Sequence, residues 1–303
     1  MWAEATSTDL LPEATARAEA LGRPVLLSVT RRVAAHDPLA AFAAASDERA
    51  LALAGAPELV SALGRELGRG GDPAALVGPE ALDRAAAMVF VLVGRPSSAD
   101  EDVLKGARRA RVPVVCLAAG PAFDGYVPHV LATDVIRARP GEGFPVDELA
   151  RALAQRLGEA ATPLAARLPV LREAVCDHLV ESFARRNAIV GAAVFVPGAD
   201  LPLLTMNQAR LVLRIASTYG VEVDAQRLPE LLGVLGAGLG FRAVAREALD
   251  FVPVAGWLLK GAVAYAGTRA LGEAARRYFA AKAPLAAEEA TPPPPAGASR
   301  ASS

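Results

Sequence analysis

The period of the apolar positions changes partway along the chain, and that change predicts two kinds of structure. Val25-Leu26-Leu27-Ser28-Val29, after Pro24, reads as a buried strand. An alanine-rich helix over 11–22 precedes it, and helical patterns fill much of 38–66, interrupted at Pro57. Met88-Val89-Phe90-Val91-Leu92-Val93 is a continuous apolar run of strand length, as in a parallel strand covered on both faces. Residues 98–111 read as a helix, with Asp100, Glu101 and Asp102 in its first turn and Arg108, Arg109 and Arg111 in its last. Those charges complement the helix dipole. The next strand is predicted over 112–117 and another over 130–136. A closing helix over 145–157 lines up Val146, Leu149, Ala150, Leu153 and Leu157 on one face. This order predicts an α/β domain with a parallel sheet over residues 1–160.

Beyond Pro163 and Pro169, which mark a joint, only the helical period remains. A long helix over 170–196 ends at Pro197-Gly198. Asp200 is placed to cap a second helix that runs to Tyr219, with Gly220 as its left-handed stop. Asp224 can cap a third, 231–241 is apolar and rich in glycine, and 251–279 is helical again from Pro253. The expectation is an all-α domain over 161–282. Residues 283–303, with four prolines at 292–295, read as a disordered tail. Two separate cores would leave residues 162–169 open to proteases, and Gly70, in the turn-rich stretch from Gly68 to Pro73, should tolerate substitution.

Composition narrows the function classes. The chain has 303 residues, 53% of them apolar, enough for two cores. A formal net charge of −1 gives no global attraction to nucleic acid, so none is expected as a partner. Cys116 and Cys176 are too few for a disulfide framework and lie outside any metal-ligand spacing. The first ten residues contain Glu4 and Asp9 and no apolar signal segment, so a cytoplasmic protein is expected.

The chemical motifs are mostly missing. A phosphate loop needs GxxxxGK[ST] between strand and helix so that backbone N–H groups can cradle phosphate. After the strand at 25–29 stand Thr30 to Asp37, without glycine or a Lys-Ser/Thr pair. Gly68, Gly70 and Gly71 are followed by Pro73 and no lysine. His36, His129 and His178 are scattered, and consecutive Cys176, Asp177 and His178 point about 100° apart on a helix. No catalytic, cofactor-binding or metal-binding residue is expected. Arg210 and Arg214 stand four apart, as do Arg242 and Arg246, on faces suited to salt bridges, a partner or lipid phosphates. Gly236 and Gly240 share one helix face and permit close approach of a second helix. With Asp200 these are the candidate interaction residues. Residues 188–199, 231–241 and 251–267 are too short or too charged to span a bilayer alone. They suit a buried, re-entrant or interfacial helix, so a soluble bundle and association with the inner membrane both stay open.

One series of short motifs is more specific. Pro197-Gly198-Ala199-Asp200-Leu201-Pro202, Asn207-Gln208, Ala216-Ser217-Thr218-Tyr219-Gly220-Val221, Gly236 to Arg242, Pro253-Val254-Ala255-Gly256 and Tyr265 to Gly272 follow in order over 185–280. The series resembles the bacterial family called domain of unknown function 697. That family is often fused behind Era-like GTPase domains and includes membrane-associated members. The first domain is similar in layout to such a GTPase. Residues 88–93 resemble the strand after the second switch, and 112–117 the strand leading to the guanine-reading NKxD motif. Residues 135–157, with Gly141-Glu142-Gly143, resemble the last strand, loop and helix. Where NKxD belongs, the chain has Ala118-Ala119-Gly120-Pro121. The resemblance therefore implies a degenerate, P-loop GTPase-like scaffold; the alternative is an unrelated α/β domain with the same element order. The expected function is a non-enzymatic adaptor, without cofactor, that binds a protein partner, itself or a membrane surface through its helical domain. The alternatives are a nucleotide-dependent regulator with an unconventional site, or a membrane-embedded component of a transport or envelope-stress system.

Overall fold

An alanine-rich strand that the hydrophobic pattern hides lies inside the sheet. Ala50–Gly55 (β1), with the sequence ALALAG, pairs on both sides and is buried at nearly every position. It lies inside the region expected to be helical. Alanine carries a strong helix preference, but two flanking strands and cover on both faces override it here. Pro57, expected to interrupt a helix, instead opens one, Pro57–Leu67 (α1). Proline fits that first position because its missing N–H has no intrahelical role there. The computed structural model describes residues 48–120, 126–139, 141–193, 201–221 and 256–289. The predicted strand at 25–29, and Asp200, Gly236, Gly240, Arg242 and Arg246, lie outside the described residues.

The remaining α/β elements are Leu76–Val77 (β2), Ala85–Leu92 (β3), Ser98–Arg109 (α2), Val114–Ala119 (β4), Val135–Ala138 (β5) and Val146–Leu157 (α3). All strand pairs are parallel, in the order β2-β1-β3-β4-β5. The parallel sheet is as expected, while β4 and β5 begin later than the apolar runs suggest. Pro113 lies just ahead of β4, where its carbonyl accepts from Met88. A single 3₁₀ turn, Ala132–Asp134, takes up part of the run expected as β5. Ser97 caps α2 in a box: the Asp100 N–H donates to its hydroxyl at 3.2 Å, and its own N–H donates to the Asp100 carboxylate at 2.8 Å.

The helical part comprises Thr162–Arg167 (α4), Arg172–Ala193 (α5), Leu201–Thr218 (α6) and Gly256–Glu289 (α7). α7 takes in residues 283–289, which composition places in the tail. Gly220 ends α6 at φ +72°, the left-handed stop expected of it. α5 and α7 run antiparallel and close, because Gly191 faces Lys260 and Ala264 while Gly261 faces Ala188 and Ala192.

Alternation along the strands separates two apolar layers. One face of the sheet, with Ala52, Ala54, Met88, Phe90 and Cys116, packs under Leu104 and Ala107 of α2. On the other, Leu51, Leu53, Val89, Val91 and Leu117 share one continuous core with α3, α4, α5, α6 and α7, through residues such as Leu153, Leu164, Phe183, Ile215 and Phe279. The stretch expected to be an exposed joint is buried: Thr162, Pro163, Leu164, Ala165 and Leu168 are all covered.

Candidate functional site

In a parallel sheet wound in both directions, ligands sit at the carboxyl ends of the strands where the winding reverses. Here that point lies between β1 and β3. Among the described residues, the turn after β1 is therefore the place where a phosphate cradle would stand; Thr30 to Asp37 lie outside them. The turn is short. Gly55 adopts φ +109°, and a side chain there would run into the Val91 carbonyl. The Ala56 N–H donates to that same carbonyl at 2.9 Å. Pro57 has no N–H to offer, and Glu58 places a carboxylate in the first turn of α1. A phosphate cradle needs several free N–H groups and a positive field. This turn spends one donor, lacks a second and adds a negative charge. Beside it, the chain leaves β3 through exposed Val93, and Arg95, Pro96, Glu101, Tyr126 and Pro128 line a shallow depression of about 270 Å³.

A second constellation forms where the sheet meets the helices. α3 ends at Gly158, at φ +57°, and the chain turns through Gly158–Ala161 into α4. That turn presents Glu159 to three arginines. Arg186 of α5 donates to Oε1 at 2.8 Å, and Arg210 of α6 donates to Oε2 through Nε at 3.2 Å, its Nη2 standing at 3.0 Å. Arg214, one turn further along α6, holds its Nε 3.3 Å from Oε2 but off the hydrogen-bond direction. Among the described residues its Nη1 has no partner, although Arg214 is only 4% exposed. The buried Thr162 hydroxyl, three residues after Glu159, has none among them either. Burial would raise the Glu159 carboxyl. The Arg186 hydrogen bond and the charges of Arg210, Arg214 and Arg186 outweigh it and hold the group below its usual value. Burial works against the charged form of Arg214, and Arg210 adds to that, while Glu159 opposes both. His178 lies alongside, its Nε2 4.0 Å from where a Cβ on Gly158 would stand. Burial, then the Arg186 charge, depress that imidazole.

Of the residues singled out by sequence, Arg210 and Arg214 come together here. Arg186 and Glu159 escape a sequence reading because they lie 27 residues apart, and Glu159 lies 51 from Arg210. Nothing local to a helical charge pattern reports such distances.

A buried polar chain crosses the three long helices nearby. Asn207 of α6 donates to the Asn187 side-chain Oδ1 of α5 at 2.8 Å, the Asn187 side-chain amide donates to the Thr268 hydroxyl of α7 at 2.9 Å, and Thr268 donates to the Ala264 backbone carbonyl at 2.7 Å. Asn187 and Thr268 are fully buried. On the outer side, the Tyr265 hydroxyl donates to Glu181 at 2.7 Å and Arg269 pairs with the same carboxylate at 3.5 Å. Burial pushes both thiols, Cys116 and Cys176, up to about 12, so neither offers a thiolate at neutral pH. Among the described residues no group of histidine, cysteine and carboxylate side chains could hold a metal ion. Among them, too, no helix is long and apolar enough to cross a membrane.

The family model for domain of unknown function 697 (DUF697) matches residues 154–293. The match begins in α3, so the sheet precedes it, while Glu159, Arg186, Arg210 and Arg214 fall within it, as do Asn187, Asn207 and Thr268. No curated protein and no solved structure matches the chain.

Proposed function

We propose that this chain is a non-enzymatic adaptor, in which a degenerate GTPase-like α/β layer serves as a fixed base for a DUF697-type helical unit that binds a protein partner or a second copy of itself. The observation that carries this reading is the turn after β1. Its Ala56 N–H is taken by Val91, Pro57 contributes no donor, and Glu58 repels a phosphate. The segments that resemble GTPase elements support the layout: they fall on β3, β4 and β5 in order, with Gly141 and Gly143 in the β5–α3 loop. The strand that would lead into a guanine-reading motif continues instead through Ala118 and Ala119.

Calorimetric titration of the full chain with GTP, GDP and ATP, each with magnesium, tests this. No binding is expected beyond what inorganic phosphate alone shows. Micromolar affinity for any of the three that exceeds that for phosphate and persists in Arg186→Gln would overturn the adaptor reading of the α/β layer and favour a nucleotide-dependent regulator.

A further inference from the structure

We propose that Arg186, Arg210 and Arg214 form an oxyanion site that takes a phosphate-class group, with Glu159 as a built-in competitor for it. The first argument is charge. Three guanidinium groups face one carboxylate, so the cluster keeps an excess of two positive charges while Glu159, Arg210 and Arg214 are mostly buried. Ion pairs elsewhere in the helical unit are balanced differently. Arg276 alone has both Asp177 and Glu273, each at 2.9 Å. Glu181 is shared between Arg185 and Arg269 and accepts from Tyr265 as well, but both of those arginines are well exposed. Solvent serves an exposed cation and cannot serve Arg214.

The second argument is the unmet donors. Among the described residues, Arg214 Nη1 is buried without a hydrogen-bond partner, and its Nε meets Glu159 only as an ion pair at 3.3 Å. Leaving a buried guanidinium N–H without an acceptor is costly, and folded proteins rarely do so. An oxyanion satisfies such donors, and guanidinium groups present them in a planar fork that suits phosphate. A phosphate dianion would also match the excess charge of the cluster. Access is from the side of Arg186, whose side chain is half exposed. Glu159 already occupies part of the same field, so incoming anion and carboxylate compete for the same donors.

The test uses the full chain at low salt, with inorganic phosphate as the probe by calorimetric titration. A second arm measures sedimentation with phosphatidylcholine vesicles, with and without phosphatidic acid. The variants are Arg186→Gln, Glu159→Gln and, as a control, Arg276→Gln, with thermal melts to confirm folding. We expect saturable phosphate binding that weakens about tenfold in Arg186→Gln, the loss of one charge-assisted contact. Glu159→Gln should tighten binding, whereas a purely structural ion pair would only lose stability. Arg276→Gln should bind as the parent does. Retention only by vesicles carrying phosphatidic acid, lost in Arg186→Gln, would support the site and make a lipid headgroup its source of phosphate. Binding to neither probe, or binding that Arg186→Gln and Glu159→Gln leave unchanged, would overturn the proposal. Because Arg186 is half exposed, its variant keeps the test decisive even if Glu159→Gln fails to fold.

Discussion

Gly267 and Gly272 lie on the same helix, α7, five residues apart, and the same substitution should move stability in opposite directions. Alanine in place of glycine inside a helix gains about 1 kcal/mol of backbone propensity. At Gly267 a Cβ meets nothing within 4 Å among the described residues, so that gain is unopposed there. At Gly272 it would stand 2.6 Å from Val180 Cγ2, 3.1 Å from Val180 Cγ1 and 3.3 Å from Leu211 Cδ2. Val180 is buried and β-branched, so its methyl groups cannot swing away. Forcing the contact shifts α7 against α5 and α6, and overpacking of this kind costs about 1–3 kcal/mol. Gly267→Ala should therefore raise stability by up to about 1 kcal/mol, a gain of roughly 2–4 °C in Tm for a protein of this size. Gly272→Ala should end level with the parent at best and up to about 2 kcal/mol below it. Urea unfolding followed by far-ultraviolet circular dichroism reads both values, provided the denaturant slope is unchanged. A Gly272→Ala variant as stable as Gly267→Ala would refute the packing argument. The close approach of α5, α6 and α7 would then not be set by the absence of side chains.

Gly55→Ala should destabilise by at least about 2 kcal/mol, because it combines a left-handed backbone with a collision against the Val91 carbonyl; a parent-like thermal melt would contradict the turn after β1. Gly70, also left-handed at φ +69° but clear of every described residue, should lose only about 1–2 kcal/mol on the same substitution, more than the near-silence that its loop position suggests. Because the folded state lowers the Glu159 carboxyl below its ordinary 4.5, its contribution is complete above that pH and disappears as pH falls through the lower folded value. Glu159→Gln should reduce stability at neutral pH and flatten the acid limb of the profile; an unchanged acid limb in urea titrations would remove Glu159 from that role. Trypsin should cut slowly at Arg167 and Arg172, since Arg167 is held by Asp72 and the Glu48 carbonyl and Arg172 by the carbonyls of Ala165 and Ala166. Early fragments ending at either arginine, by mass spectrometry, would show that this stretch opens readily.

What could be read from the sequence was what local chemistry determines. β3 and β4 announce themselves as apolar runs too long and too branched for loops. The acidic start and basic end of α2 and the glycine that stops α6 each follow from forces acting within a turn of the helix. β1 was hidden because its identity is tertiary. ALALAG prefers a helix in isolation and becomes a strand only because β2 and β3 pair with it on both sides. The arginine cluster was half legible. The spacing of Arg210 and Arg214 puts them on one face, but sequence cannot say that the face points inward at Glu159. The glycine habit of the last helix was visible too, yet only the three-dimensional packing separates Gly261 and Gly272, which face α5, from Gly267, which faces none of the described residues.

The sheet and the helical unit are joined by contacts of unlike strength, and their ranking decides what loosening one of them would do. Arg167 Nε pairs with Asp72 at 2.9 Å, the Asp72 N–H returns a bond to the Arg167 carbonyl, and Gly71 lies so close that a Cβ there would be 2.5 Å from that carbonyl. The Asp72 carboxyl sits below its usual value because the Ala74 N–H and then Arg167 donate to it. Yet its side chain is 43% exposed, so the pair contributes at most about 1 kcal/mol and falls with salt. Leu164, Leu168, Leu171 and Val175, by contrast, are covered to within 1% of their surface in the shared core. Each contributes about 1.5–3 kcal/mol by burial, and none depends on pH or ionic strength. Acid or salt should therefore weaken the polar clamp without parting the sheet from the helices. A signal passing between the two would travel through the packed side chains of α3 and α4 and not through the clamp.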